Sequence, residues 1–142
     1  MGRKKKFLKK TIKVLSIIIA FILIIIIIYT VIHPISMPNK LVEKYLFLKI
    51  DKGTSMENAS KEIEDEWEIK EINHNYGVHF GKNGLPNRNN LETKENLVGS
   101  KYIYVRLGEY NIPTNTVVFA YFIFDKNGKL IQVATRRDVD SI

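Results

Sequence analysis

His74 and His79 stand five residues apart, a spacing at which two imidazoles could share a metal ion. The chain has no Cys, and no acid sits where it would complete the ligand shell, so two surface histidines are by far the plainer reading of the pair. Gly77-Val-His-Phe-Gly81-Lys82-Asn83 imitates a phosphate-cradling loop, but its glycines are one residue too close and Asn83 occupies the place of the metal-binding Ser or Thr. Asp125-Lys126-Asn127-Gly128 imitates part of a calcium loop, with its Gly two residues early and no closing Glu; a tight turn accounts for it. No metal site and no cofactor is expected from these residues.

General acid/base chemistry would need a paired acid in a cleft, and the one dense group is Glu62, Glu64, Asp65, Glu66 and Glu68. A solvated helix end is the plainer reading of that group. Neither a Gly-x-Ser-x-Gly elbow nor a Ser-x-x-Lys pair occurs, and without Cys there is no thiol nucleophile, no thiolate zinc site and no disulfide framework. No catalytic residue is therefore assigned. An enzyme of unrecognised type stays open as the second reading.

Tyr102, Tyr104 and Arg106 are the residues with a binding chemistry. They alternate with Ile103, Val105 and Leu107, so a strand would turn three aliphatic side chains one way and Tyr, Tyr and Arg the other. Tyr and Arg concentrate binding energy at protein interfaces, which makes this the candidate contact face, with Gln132 and Arg136 of the last hairpin beside it. The competing explanation is an aromatic ladder that only ties adjacent strands together.

The elements that must hold this face can be read along the chain. Leu41, Val42, Tyr45, Leu46 and then Leu48 or Lys49 follow a helical spacing that stops before Asp51-Lys52-Gly53. Thr54-Ser55-Met56-Glu57 has the spacing of a capping box with Thr54 as the cap, and Met56, Ala59, Ile63 and Glu66 or Trp67 supply the stripe of a second helix ending near Trp67. The period then changes to two. Trp67 and Ile69, and Tyr76, Val78 and Phe80, predict a hairpin across the Asn-rich turn at 73–75. Residues 81–100 read mostly as loop. Lys101 to Leu107, Val117 to Phe124 and Leu130 to Thr135 read as strands, the middle one apolar at both parities and so covered on both faces, the last two joined through Asp125-Lys126-Asn127-Gly128.

Ahead of this domain lies Val14 to Ile32, an uncharged run containing ten isoleucines, about 28 Å long as a helix against a hydrocarbon core of about 30 Å. The chain of 142 residues leaves room for one membrane segment and one domain of roughly 100 residues. Seven of its 22 basic residues (Arg3, Lys4, Lys5, Lys6, Lys9, Lys10 and Lys13) precede the apolar run, and 1–13 contain no acid. Removing them leaves 15 basic against 15 acidic residues, so the overall charge of +7 belongs to the arm and gives no ground for a nucleic-acid partner. Only Lys40 follows closely on the other side, an asymmetry that places the N-terminus in the cytoplasm and the C-terminal domain outside. A cleaved signal peptide is the rival reading. The run is longer than a signal core and Tyr29-Thr-Val-Ile-His-Pro offers no small-x-small site, which favours an uncleaved anchor.

The order of elements is a Gly-x-Ser/Thr step before a second helix (Lys52-Gly53-Thr54-Ser55) and then a late strand-turn-strand from Phe122 to Leu130. It resembles the small helix-helix-sheet domains of the SmpA/OmlA (BamE) lipoproteins, and the fold of the β-lactamase-inhibitory proteins is similar. Those lipoproteins carry an acylated Cys that is missing here, so a protein helix would replace the lipid. The resemblance implies a non-catalytic extracytoplasmic domain that binds another protein. The expected architecture is α+β: a basic arm (1–13), a single transmembrane helix (14–32), a linker (33–39) and a two-layer domain of two helices packed on an antiparallel sheet (40–142). The expected partners are the membrane and another envelope protein.

Overall fold

A computed structural model describes residues 2–87, 96–111 and 114–139. The chain divides into two compact units, 1–34 and 35–142.

The first unit is dominated by α1 (Gly2–Ile32), a 31-residue helix with no buried side chain. It is long and apolar enough to cross a membrane. The helix continues without interruption from the apolar run back through the basic arm to Gly2. Two of its hydroxyls bond back onto the helix: Thr11 Oγ1 donates to the Phe7 carbonyl at 3.0 Å and Thr30 Oγ1 to the Ile27 carbonyl at 2.9 Å. The His33 amide closes the last turn on the Tyr29 carbonyl at 2.8 Å, and the two rings lie 4.9 Å apart.

The second unit begins with Ile35 and Met37, which pack against its core. Helix α2 (Asn39–Lys49) starts behind Pro38, whose carbonyl accepts from the Leu41 and Val42 amides. It buries Val42 and Leu46, while Leu41 and Leu48 face outward and Lys49 pairs with Glu66 at 3.2 Å. Of the expected stripe only this inner pair, flanked by half-buried Tyr45, reaches the core, and Ile50 joins it just beyond the helix. Helix α3 (Met56–Glu66) buries Met56, Ala59 and Ile63. Its cap is Ser55, whose hydroxyl accepts from the Asn58 amide. Thr54, one residue earlier, instead donates to the Asp51 carbonyl at 2.6 Å and closes the preceding turn, so the cap lies one residue later than the expected capping box would place it.

The sheet is four-stranded and antiparallel in the order β1 (Glu68–Asn73), β4 (Lys101–Tyr110), β5 (Thr116–Phe124), β6 (Leu130–Val139). A separate two-stranded sheet pairs β2 (Val78–His79) with β3 (Leu97–Val98). The expected hairpin across 73–75 does not form. Asn73 Oδ1 accepts the Asn75 and Tyr76 amides at 2.9 and 3.2 Å, an Asx turn that leads the chain away from the sheet, and β1 takes β4 as its partner, Ile69 opposite Val105 and Ile72 opposite Ile103. The 125–128 turn is as expected: Asp125 Oδ1 accepts the Asn127 and Lys129 amides, each at 2.9 Å, and Gly128 sits at φ 73°.

Helices α2 and α3 cover one sheet face. Ile103 and Val105 of β4, Val118, Ala120, Phe122 and Phe124 of β5, and Leu130 and Val133 of β6 close on them in a continuous core. The outer edge of β6 is also bonded to α2, because Glu43 Oε1 accepts both the Thr135 amide (3.1 Å) and its hydroxyl (3.3 Å). Arg137, two residues on, donates to Asn39 Oδ1, the Tyr110 hydroxyl and the Met37 carbonyl. An edge strand occupied in this way offers little template for further pairing.

Candidate functional site

The face of the sheet turned away from the helices carries Tyr102, Tyr104 and Arg106, as the alternation requires. Cross-strand register decides their neighbours. Tyr102 lies opposite Ile123, Tyr104 opposite Tyr121 and Arg106 opposite Phe119. The rings therefore form a ladder: Tyr104 stacks on Tyr121 at 4.5 Å and on Phe119 at 5.2 Å, and Tyr121 meets Tyr102 edge-on at 5.5 Å. Contacts of this geometry stabilise neighbouring strands beyond their buried area.

The three candidate residues end in different surroundings. Tyr102 is buried under the β2–β3 sheet, in a second small core with Val78, Tyr121, Ile123 and Ala134. Its hydroxyl donates to Glu71 Oε1 at 2.8 Å and Tyr76 lies 6.2 Å from its ring. Burial first, and then the carboxylate it bonds, push its phenol well above the ordinary tyrosine range. Tyr104 and Arg106 are half-buried. Arg106 Nη2 pairs with Glu109 Oε2 at 3.1 Å. On β6, Arg136 pairs through Nε with Asp138 at 3.2 Å and donates through Nη1 to the Pro86 carbonyl, also at 3.2 Å. At the β1 edge Glu68 is held below the usual carboxylate range, chiefly by its 2.7 Å bond to Lys70, with a smaller electrostatic contribution from Arg106.

The assembled surface is a half-exposed aromatic strip from Tyr104 to Phe119, edged by two arginine-carboxylate pairs. Such a surface can bind a flat apolar or mixed-charge partner. Phe119 and Tyr121 escaped the sequence reading, although the signal was present: a β5 apolar at both parities implies cover over the face that carries Tyr102.

The residues considered for catalysis lie elsewhere and do not converge. His79 is in β2, while His74 falls in the turn after β1. Glu62, Glu64 and Asp65 are exposed on α3, and Glu66 and Glu68 point to Lys49 and Lys70. Gly77 approaches the carbonyls of Val98 and Gly99 so closely that a Cβ there would sit 2.2 Å from the nearer oxygen, a packing role for the first glycine of the loop-like run. Among the described residues no group of three or more His, Asp or Glu gathers as a metal shell would require. An open cleft of about 550 Å3 lies where Gly53, Thr54 and Ser55 meet Lys61 and Lys129, away from Tyr102, Tyr104 and Arg106.

The chain matches no protein-family model, and no curated protein or solved structure is detectably similar to it.

Proposed function

We propose that this is a single-pass membrane protein whose N-terminus stays in the cytoplasm and whose α+β domain is displayed on the other side, as a non-catalytic module that binds or modulates another envelope protein. One observation carries the reading: over residues 14–32 α1 exposes an uncharged, almost wholly apolar surface that no part of its own unit buries. An aqueous environment would penalise every one of those side chains, whereas hydrocarbon removes the cost. The seven cations before the apolar run support the orientation.

The domain contributes the contact surface. Tyr104 and Arg106 supply it directly and Tyr102 supports it from one end, since Tyr102 packs against the ring of Tyr121 on which Tyr104 stacks. A photo-reactive phenylalanine analogue at Tyr104 in the full-length protein in living cells should yield a discrete protein adduct, and the same probe at Lys61 on the exposed side of α3 should not. Arg106→Ala should abolish the adduct while the domain remains folded. Equal labelling from both positions, or an adduct indifferent to Arg106, removes this face from the account.

A further inference from the structure

The basic arm is part of α1, so its side chains have fixed angular positions around the helix. At 3.6 residues per turn, Lys5, Lys9, Lys13, Lys6, Lys10 and Arg3 fall within one arc of about 160°. Phe7, Thr11, Leu8 and Ile12 occupy the opposite arc, with Lys4 the one cation among them. Phe7, Leu8 and Ile12 are 74%, 61% and 57% exposed, so α1 supplies no cover of its own for this short apolar stripe. A helix divided in this way, cationic on one side and aromatic-aliphatic on the other, has the pattern of a membrane-surface segment.

Length sets the depth at which these residues lie. Thirty-one helical residues extend about 46 Å, close to the thickness of a bilayer including its headgroups, about 40–45 Å. With Val14 to Ile32 in the hydrocarbon, Lys13, Lys10 and Lys9 stand at headgroup depth, and the remaining cations follow within about a Debye length of the surface. The electrostatics of the helix itself also call for an outside anion. Its N-terminal end carries the positive pole of the peptide dipoles, the first turn contains no acid, and seven cations crowd the same end. Nothing within 1–13 offsets that accumulation.

We propose that the first three turns of α1 bind the acidic phospholipid headgroups of the leaflet they enter, α1 tilting so that the side bearing Phe7, Leu8 and Ile12 faces the leaflet, with Ile12 nearest the acyl chains, while the lysine arc reaches the phosphates. This rests on α1 spanning the membrane, and it goes further in giving the arm a lipid preference beyond its role in orientation.

Because the chain has no Cys, Thr11→Cys in the middle of the apolar stripe provides a single attachment point for a polarity-sensitive fluorophore. The full-length labelled protein is reconstituted into vesicles of phosphatidylcholine alone or phosphatidylcholine with phosphatidylglycerol. Retention in the vesicles after alkaline extraction is measured first, since its loss would remove the anchor itself. With retention established, the expected result is a several-fold drop in quenching by acrylamide, a neutral aqueous quencher, in the phosphatidylglycerol vesicles only, reversed by high salt and absent in a variant with Lys5, Lys6, Lys9, Lys10 and Lys13 all changed to Gln. Equal quenching in both vesicle types overturns the proposal. So does protection that appears in neutral vesicles on adding a nucleic-acid oligomer and fails to appear with phosphatidylglycerol.

Discussion

The two faces of the sheet are built from the same three long strands and are sealed to different degrees. The helical face is closed along its length: Val42, Leu46, Ile50 and Ile63 meet Ile103, Val105, Phe122 and Phe124 with essentially no exposure. The opposite face is closed at one end, where β2 and β3 cover Tyr102 and Ile123, and its rings become half-exposed toward Tyr104 and Phe119. Burial is concentrated in the first face, and the second keeps a half-exposed aromatic surface. Alternation along a strand is enough to separate the two surfaces, because each side chain belongs wholly to one face.

That contrast can be broken most severely from the helical side. Phe122→Ala removes a fully buried ring next to Trp67, whose centroid is 6.4 Å away, and should cost about 3–5 kcal/mol of unfolding free energy in denaturant titration. Trp67 is the single tryptophan, so its fluorescence should change with the mutation. Gly77→Ala attacks the cover of the other face. Its new methyl group would collide with the Val98 and Gly99 carbonyls, lifting β2 from β3 at a cost of about 1–3 kcal/mol. Here the tyrosine near-ultraviolet dichroism should change while Trp67 emission stays as in the parent.

Tyr102→Phe is gentler and sharpens the comparison through pH. It removes the bond to Glu71 and should cost about 1 kcal/mol at neutral pH. A phenol whose pKa is raised on folding contributes stability that is complete below the unfolded value near about 10 and is lost as pH rises from there toward the folded value. Stability of the parent should therefore fall above that pH, and part of the fall should vanish in Tyr102→Phe. The smallest effect belongs to Arg106→Gln. Its ion pair with half-exposed Glu109 should be worth less than about 1 kcal/mol to folding, so the melting temperature should barely move. A loss of the Tyr104 cross-link in that variant would then report on binding alone.

What the sequence reveals about these faces depends on how local each determinant is. The turn at 125–128 is written in four adjacent residues, with Asp125 folding over its own backbone and Gly128 taking the left-handed position, and both flanking strands follow from it. The helix caps are nearly as local, yet Thr54 and Ser55 compete for one role and only the geometry of the Asp51 turn separates them. The partner of β1 is a different matter. Its alternation says that Ile69 and Ile72 need a core, and nothing in 68–73 says that Val105 and Ile103, more than thirty residues on, will provide it. The candidate site suffered from the same non-locality. Tyr102 reads like Tyr104 along the strand, and the difference between them comes from Val78 and Val98, brought over from β2 and β3. Arg137 gives no local sign of its bonds to Met37 and Asn39, which lie about a hundred residues earlier.

If α1 holds the domain beyond the cytoplasmic membrane, limited proteolysis of intact cells will reveal it. With full-length protein carrying a cytoplasmic epitope ahead of Met1, protease added outside should digest residues 40–142 and leave a short membrane-bound fragment that still bears the epitope. Survival of the whole domain in intact cells, followed by its digestion once the cells are lysed, would contradict the account.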